Sequence, residues 1–302
     1  MLWIPITLAA AALQTARNAF QRSLTGALSP LGATYTRFLF GFPFAALYAA
    51  TVLAASDGPA PAPGPAFYGW ATLGGVAQIF GTACLLRLFQ LRNFATGIAF
   101  SKSEILQAAL FGMLVLGDHI SLLAALAIGV ATAGLLLLAR GGGAAGAGGL
   151  REAARPTLLG LGTGAAFAVA AVAFRAASLS LRDPSFVVSA AVTLAFTTFV
   201  QSAGMTLYLR WREPGQIGAV LRAWRLSMLP GAFGAAASAC WFTAMTLEIA
   251  AFVRMLGLIE VLFGYAVSIV GLRERPSARE VAGSALLVVA IVGLLWERAG
   301  AG

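Results

Sequence analysis

The chain has 302 residues, of which 60% are hydrophobic and only 10% are charged. A soluble globular domain carries nearer a quarter charged residues, so this composition excludes an ordinary soluble protein. The net charge of +9 does not indicate nucleic-acid binding. The basic residues are nearly all arginines in short connections between apolar segments, which is the pattern that orients membrane proteins.

Apolar runs bounded by turn or charge signals predict ten transmembrane helices. The first run is expected to be a retained span, since it lacks the basic segment and small-residue cleavage site of a signal peptide. The predicted spans cover residues 2–23, 30–54, 66–90, 93–116, 121–139, 157–178, 184–209, 226–247, 250–271 and 278–296.

The second half of the chain repeats the first. A shift of 156 residues superposes Cys84 on Cys240 and Glu104 on Glu260 without gaps. Each half holds five spans, an odd number, so the second half must cross the membrane in the opposite direction. This predicts an all-α integral membrane protein built from two five-helix inverted repeats, the architecture of secondary transporters. The predicted parts are the first repeat (1–139), a Gly-rich linker (140–156) and the second repeat (157–302).

Two short turns carry a resemblance to a known family. Residues 116–121 read Leu-Gly-Asp-His-Ile-Ser and residues 272–277 read Leu-Arg-Glu-Arg-Pro-Ser, and each opens a final helix rich in Gly, Ala and Leu. With ten spans in two halves, the chain resembles the drug/metabolite transporter superfamily in its ten-helix EamA-type branch. The resemblance implies export of small metabolites, amino acids among them, across the bacterial inner membrane. The resemblance does not identify the substrate.

The arginine distribution predicts the orientation. The third, fifth, seventh and ninth connections carry twelve arginines, whereas the even-numbered connections and the tail carry only Arg182 and Arg298. Basic connections stay in the cytoplasm, so both termini are expected to face the periplasm. Related exporters are generally drawn with both termini inside, and we follow the charge bias because it holds in both halves.

The centre of the fourth span holds the strongest candidate for function. Lys102 is the only lysine of the chain, and Glu104 lies two residues on. A charge at mid-membrane costs roughly 2.5–3.5 kcal/mol on insertion scales, so it needs a partner or water. On a continuous helix these two side chains are about 200° apart. We expect Lys102 to line the substrate path, with a structural ion pair to Glu260 as the alternative.

The other intramembrane charges have less specific expectations. Glu104 and Glu260 are expected to make hydrogen bonds between helices, and proton coupling is the alternative role. Four arginines lie within or near span ends, where long side chains can snorkel to the membrane surface instead of pairing. These are Arg17, Arg37, Arg175 and Arg254.

Polar side chains in three spans complete the candidate site. Gln14 and Asn18 follow one edge of the first span, facing either neighbouring helices or a wet cavity. Gln78 and Thr82 lie one turn apart in the third span. Their counterparts in the eighth span are Gly234 and Ser238, and Trp241 follows about one turn later. This tryptophan either stacks on an apolar substrate or packs against neighbouring helices. The predicted substrate-binding residues are Lys102, Gln14, Asn18, Gln78, Thr82, Ser238 and Trp241.

These features predict a secondary active transporter that exports amino acids, aromatic or other apolar ones included, or similar metabolites. It would work by alternating access at a midplane site between the repeats. A multidrug-type efflux carrier of lipophilic compounds is the alternative. A non-transport scaffold or an intramembrane enzyme is less favoured, because an enzyme needs a nucleophile with a base or a metal site. The lone His119, in a turn, supplies neither.

The expected partners follow from the same reasoning. They are a small-molecule substrate, the lipid bilayer and, as candidate coupling ion, the proton. No nucleic acid, metal or other cofactor is expected, and no Walker-type phosphate-binding sequence indicates direct use of ATP. The working unit is expected to be a monomer or a weak oligomer.

Overall fold

The computed structural model describes residues 1–22, 24, 28–89, 101–141, 150–183, 185–262 and 277–300. Over these ranges the chain is helical and has no β-strand, which confirms the predicted all-α class. The helices are α1 (Trp3–Arg22), α2 (Pro30–Leu39), α3 (Gly41–Ala54), α4 (Pro65–Phe89), α5 (Glu104–Leu116), α6 (Leu122–Gly141), α7 (Leu150–Ser180), α8 (Phe186–Arg212), α9 (Gln216–Arg222), α10 (Trp224–Leu247), α11 (Ala250–Leu256) and α12 (Ala278–Gly300).

Long apolar helices, typical of membrane proteins, make up much of the described chain. Within the described ranges, five helices are long and apolar enough to cross a membrane, and two shorter apolar helices accompany them. An apolar helix of about 20 residues matches the hydrocarbon thickness of a bilayer. The five are Leu31–Ala54, Ala154–Ser180, Phe186–Arg212, Trp224–Leu247 and Ala278–Gly300, and the shorter two are Glu104–Leu116 and Leu122–Leu138.

Serine caps define where several helices begin. Ser29 and Ser185 accept hydrogen bonds from backbone amides in the first turns of α2 and α8. Ser121 and Ser277, which the 156-residue shift superposes, do the same for α6 and α12. Each serine oxygen satisfies an amide that lacks a partner within the helix.

Three local features differ from the predicted boundaries. The second span breaks at Phe40 into α2 and α3, because Pro43 has no amide hydrogen to offer the carbonyl four residues back. Residues 150–155, predicted as linker, form the start of α7, since they are mostly good helix formers. The short helix α9 was not predicted. Residues 142–149 of the predicted linker lie outside the described residues.

The first compact unit contains Met1–Ile79 and Ala173–Glu248. In it α1 packs along α10, and α2 and α3 pack against α8 and α10. The break at Phe40 contacts Gly231 of α10, where an added Cβ would lie 2.8 Å from the Phe40 carbonyl carbon. Only glycine permits that approach, so two proline-containing segments meet backbone to backbone.

The second compact unit contains Phe80–Val172 and Ile249–Gly302. In it α6 packs along α12, and α5 packs against α11. The first pair crosses at two glycines, since a Cβ added to Gly134 would lie 2.8 Å from the Gly283 carbonyl oxygen. Small residues at a crossing let helix backbones approach closely, which is how helices associate in lipid.

Each unit draws residues from both predicted repeats. The repeats were inferred from sequence similarity, whereas the units reflect which helices pack together. The repeat boundaries at 1–139 and 157–302 therefore stay a prediction.

Candidate functional site

The fourth predicted span is interrupted at its charged centre. Ser101 is helical, Lys102 and Ser103 form a turn, and α5 begins at Glu104. The Ile105 amide donates to the Lys102 carbonyl three residues back, at 3.4 Å, which is the tighter 3₁₀ pattern. The expected angle of about 200° between Lys102 and Glu104 assumed a continuous helix. The turn replaces the continuous helix at this point, so the angle stays a prediction, and each of the two side chains pairs with a different partner.

The ninth predicted span has an interruption of the same kind. α11 ends at Leu256, and Gly257 and Leu258 form a turn before helix resumes. The Glu260 amide donates to the Gly257 carbonyl at 3.1 Å, again three residues back. A glycine weakens the helix here by about 1 kcal/mol relative to alanine. The turn lies within one residue of the position that the 156-residue shift assigns to it.

Two ion pairs link the interrupted segments. Lys102 Nζ lies 3.1 Å from Glu260 Oε1, and Arg254 Nε lies 2.5 Å from Glu104 Oε1. Each carboxylate therefore pairs with a cation from the opposite half of the sequence. The alternative role expected for Lys102, an ion pair with Glu260, is thus present in the structure. Its role in lining the substrate path stays a prediction, as does proton coupling through either carboxylate.

Arg254 is neutralised inside the second unit. Its partner Glu104 is only 7% exposed, and Arg254 also interacts electrostatically with Glu260. Snorkelling to the membrane surface, which was expected for this arginine, is therefore wrong. A guanidinium removed from water needs a carboxylate close by, because its desolvation is otherwise uncompensated.

Arg175 has a different structural role. Its guanidinium donates to the carbonyls of Met245 at 2.7 Å and Glu248 at 2.5 Å, at the end of α10. The last carbonyls of a helix lack intrahelical donors, and the negative end of the helix dipole favours a cation there. Snorkelling is wrong for this residue as well, since Arg175 caps α10.

The interruption in the fourth span is packed against α7. A Cβ added to Gly164 would lie 2.9 Å from the Ser101 carbonyl oxygen and 3.0 Å from the Glu104 amide nitrogen. Gln107 fixes the turn further by donating to Ser103 Oγ at 2.7 Å. The backbone conformation of the turn that contains Lys102 therefore depends on a glycine at position 164.

A small cavity lined by polar and apolar residues lies in the first unit. It has room for about one water molecule, roughly 10 Å³. Two of the predicted site residues, Gln78 and Ser238, line it together. The lining residues are Arg37, Phe38, Gly41, Gln78, Leu194, Thr198, Gln201, Gly234, Ala235, Ser238 and Phe242.

Gln78 is held in this cavity by a residue that the sequence interpretation missed. Gln201 Nε2 donates to Gln78 Oε1 at 2.6 Å, and Gln201 itself is only 3% exposed. Thr198 and Arg37 line the same cavity and were also not assigned to it. A signal was available, since Gln201 is the only glutamine of its span and lies three residues from Thr198.

The remaining predicted site residues do not lie in one unit: Gln14 and Trp241 belong to the first and Thr82 to the second. Gln14 accepts a hydrogen bond from Trp241 Nε1 at 3.1 Å in the first unit, and the indole is 6% exposed. This contact fits the packing interpretation of Trp241. Thr82 lies on α4 in the second unit. The side chain of Asn18 lies outside the described residues.

Among the described residues, no group of three His, Cys, Asp or Glu side chains is placed to hold a metal ion. His119 lies in the connection between α5 and α6. The candidate site consists of the paired charges of the second unit and the cavity of the first.

Comparison with known proteins identifies the fold and nothing finer. The sequence matches no family model and no curated protein. A solved crystal structure matches with a TM-score of 0.72 and 20% sequence identity, covering 98% of this chain and 98% of that one. At this identity the match shows a shared fold, and it assigns no activity. The match extends over nearly the full length of both chains.

Proposed function

We propose that this protein is a secondary active transporter of the drug/metabolite transporter superfamily that exports amino acids or similar small metabolites. It is proposed to have ten spans in two inverted repeats and to reside in the bacterial inner membrane with both termini in the periplasm. Substrate crosses by alternating access at a midplane site between the repeats, and the proton is the candidate coupling ion.

The observation that carries the proposal is the pair of interrupted spans. Both interruptions lie next to a carboxylate, Glu104 or Glu260, and the 156-residue shift brings them within one residue of each other. Secondary transporters build their sites from discontinuous helices at equivalent positions of two repeats. An ammonium, a guanidinium and two carboxylates placed there by chance would each add an insertion cost.

The polar residues of the first unit's cavity support a solute with polar groups over a purely lipophilic one. Arg37, Gln78 and Gln201 are among its lining residues. A guanidinium recognises a carboxylate well, because its paired N–H groups match the two oxygens. The cavity holds about one water, so an amino acid requires a wider conformation, which alternating access supplies.

Flux in proteoliposomes tests the proposal. The purified protein is reconstituted, and uptake and efflux of a panel of labelled amino acids are measured with and without a proton gradient. We expect saturable flux of a subset of the panel above that of protein-free liposomes. Flux of lipophilic cations or dyes alone would support the multidrug alternative. No flux of any compound by folded protein would support a scaffold.

A further inference from the structure

The connection between α8 and α10 presents an exposed aromatic and apolar surface. Residues 207–226 run from the last turns of α8 through α9 to the first turn of α10. Trp211 is 76% exposed and Trp224 is 50% exposed. Four further large side chains of this segment are also exposed, namely Leu207, Tyr208, Leu221 and Leu226. We call these six residues, with the arginines described next, the interfacial surface.

The same segment is strongly basic. It carries four exposed arginines and one acidic residue, Glu213, which accepts a hydrogen bond from Ser29 Oγ at 2.6 Å. Among the described residues none of the four arginines has an ion-pair partner. The arginines are Arg210, Arg212, Arg222 and Arg225.

Two of these arginines are oriented by the tryptophans. The Arg212 guanidinium lies 5.2 Å from the Trp211 ring centroid, and that of Arg225 lies 5.4 Å from the Trp224 centroid. A guanidinium over an indole face is attracted by the ring while its N–H groups remain available to an acceptor. Because α8 ends and α10 begins here, both tryptophan–arginine pairs lie at the same end of two neighbouring helices.

This combination matches the chemistry of one leaflet of a membrane. Indole rings favour the depth of the lipid headgroups, where one edge is apolar and the other is wet. Unpaired arginines at that depth meet phosphate oxygens, which accept the paired N–H groups of a guanidinium. The loop between α3 and α4 differs: residues 55–64 carry no basic residue and one aspartate. The α8–α10 end thus has the charge and the exposed tryptophans that the α3–α4 loop lacks.

We infer that the interfacial surface binds the phosphate headgroup of an anionic phospholipid. Trp211 and Trp224 fix the depth of the connection in the leaflet, and Arg212 and Arg225 hold the headgroup phosphate. Arg210 and Arg222 add attraction for the negative surface of that leaflet. The binding is independent of transport, since it needs only that this end of α8 and α10 meets the membrane surface.

Quenching of tryptophan fluorescence by brominated lipids tests the inference on the full chain. The protein is placed in phosphatidylcholine vesicles containing brominated phosphatidylglycerol or brominated phosphatidylcholine at equal mole fraction. We expect wild-type protein to select phosphatidylglycerol, and added salt to reduce that selection. Arg212→Gln with Arg225→Gln should reduce the selectivity by about fivefold or more. Lysine at both positions should restore part of it, because the charge returns without the planar fork.

A matched control removes two exposed arginines elsewhere, Arg182→Gln with Arg279→Gln, and has the same net charge as the test variant. It should keep the wild-type selectivity. Equal quenching of wild-type protein by the two lipids would overturn the inference. So would an equal loss in the control, because net charge alone would then explain it. Unfolding temperatures of all variants, measured in the same vesicles, show that the comparison concerns folded protein.

Discussion

Glu104 Oε1 lies 2.5 Å from Arg254 Nε, so the carboxylate that begins α5 is neutralised by a guanidinium of α11. Lys102 and Glu260 form the reciprocal pair, at 3.1 Å. The two interrupted segments are therefore joined twice, each contributing one cation and one anion. Their opposite charges cancel locally, which offsets part of the cost of placing four charges inside a membrane protein.

Of the two ion pairs, Arg254–Glu104 should contribute more to the free energy of unfolding. Arg254→Gln leaves Glu104, only 7% exposed, without this cation, and we expect unfolding to become easier by about 3–5 kcal/mol. Glu104→Gln should cost less and preserve transport, because Arg254 still interacts with Glu260. Thermal unfolding in detergent measures both effects. The double variant should regain most of the stability lost by Arg254→Gln, and an unchanged Tm for that single variant would contradict the account.

Lys102 is predicted to act in substrate binding as well as in pairing. Lys102→Met removes one cation that pairs with Glu260, so stability should fall, and adding Glu260→Gln should restore it. Substrate affinity should fall by roughly tenfold or more, the effect of losing one charge-assisted hydrogen bond. This loss should persist in the stable double variant. Binding measured on purified single and double variants separates the roles, and normal affinity in the double variant would remove Lys102 from the site.

Gly164 should be required for the packing of α7 on the interrupted span. Gly164→Ala places a methyl group 2.9 Å from the Ser101 carbonyl oxygen, and overpacking of this kind typically costs about 1–3 kcal/mol. Gly162, two residues earlier on the same helix, is the control, because an added Cβ meets nothing within 4 Å. Gly162→Ala should keep or raise the Tm, since alanine favours a helix over glycine. Equal Tm values for the two variants would contradict the assigned contact.

The predicted orientation has a direct test. Twelve arginines in four alternate connections predict that these connections lie in the cytoplasm and that both termini lie in the periplasm. A reporter that is active only in the cytoplasm should be silent when it is fused after Gly302. The same reporter inserted after Gly218 in α9 should be active. A reversed pattern would restore the orientation drawn for related exporters.

The sequence predicted the helical class and most helix positions, because apolar runs, prolines and capping serines are local signals. The breaks at Lys102 and Gly257 were missed, since an apolar run reads as a continuous helix even where its backbone tightens into a turn. Ser121 and Ser277, which the repeat shift superposes, each accept a hydrogen bond from an amide in the first turn of the helix that follows.

Side-chain partners were harder to predict than helices. The sequence named Glu260 as an alternative partner for Lys102, but it did not pair Glu104 with Arg254, 150 residues away. Likewise, Gln78 was selected for the site while Gln201, its hydrogen-bond partner, was not. Such contacts depend on how distant helices pack, and the hydrophobic pattern of a single chain carries little information about this.

Counterflow in proteoliposomes tests the central claim, that this protein is a carrier with an alternating site. Vesicles are loaded with an unlabelled amino acid that the flux panel identifies, and uptake of the same labelled compound is followed at equal internal and external pH. A carrier returns its site to the outside faster when substrate is bound, so internal substrate should accelerate uptake, and uptake should saturate. Uptake that rises linearly with concentration and ignores the internal substrate would contradict the claim and indicate a channel.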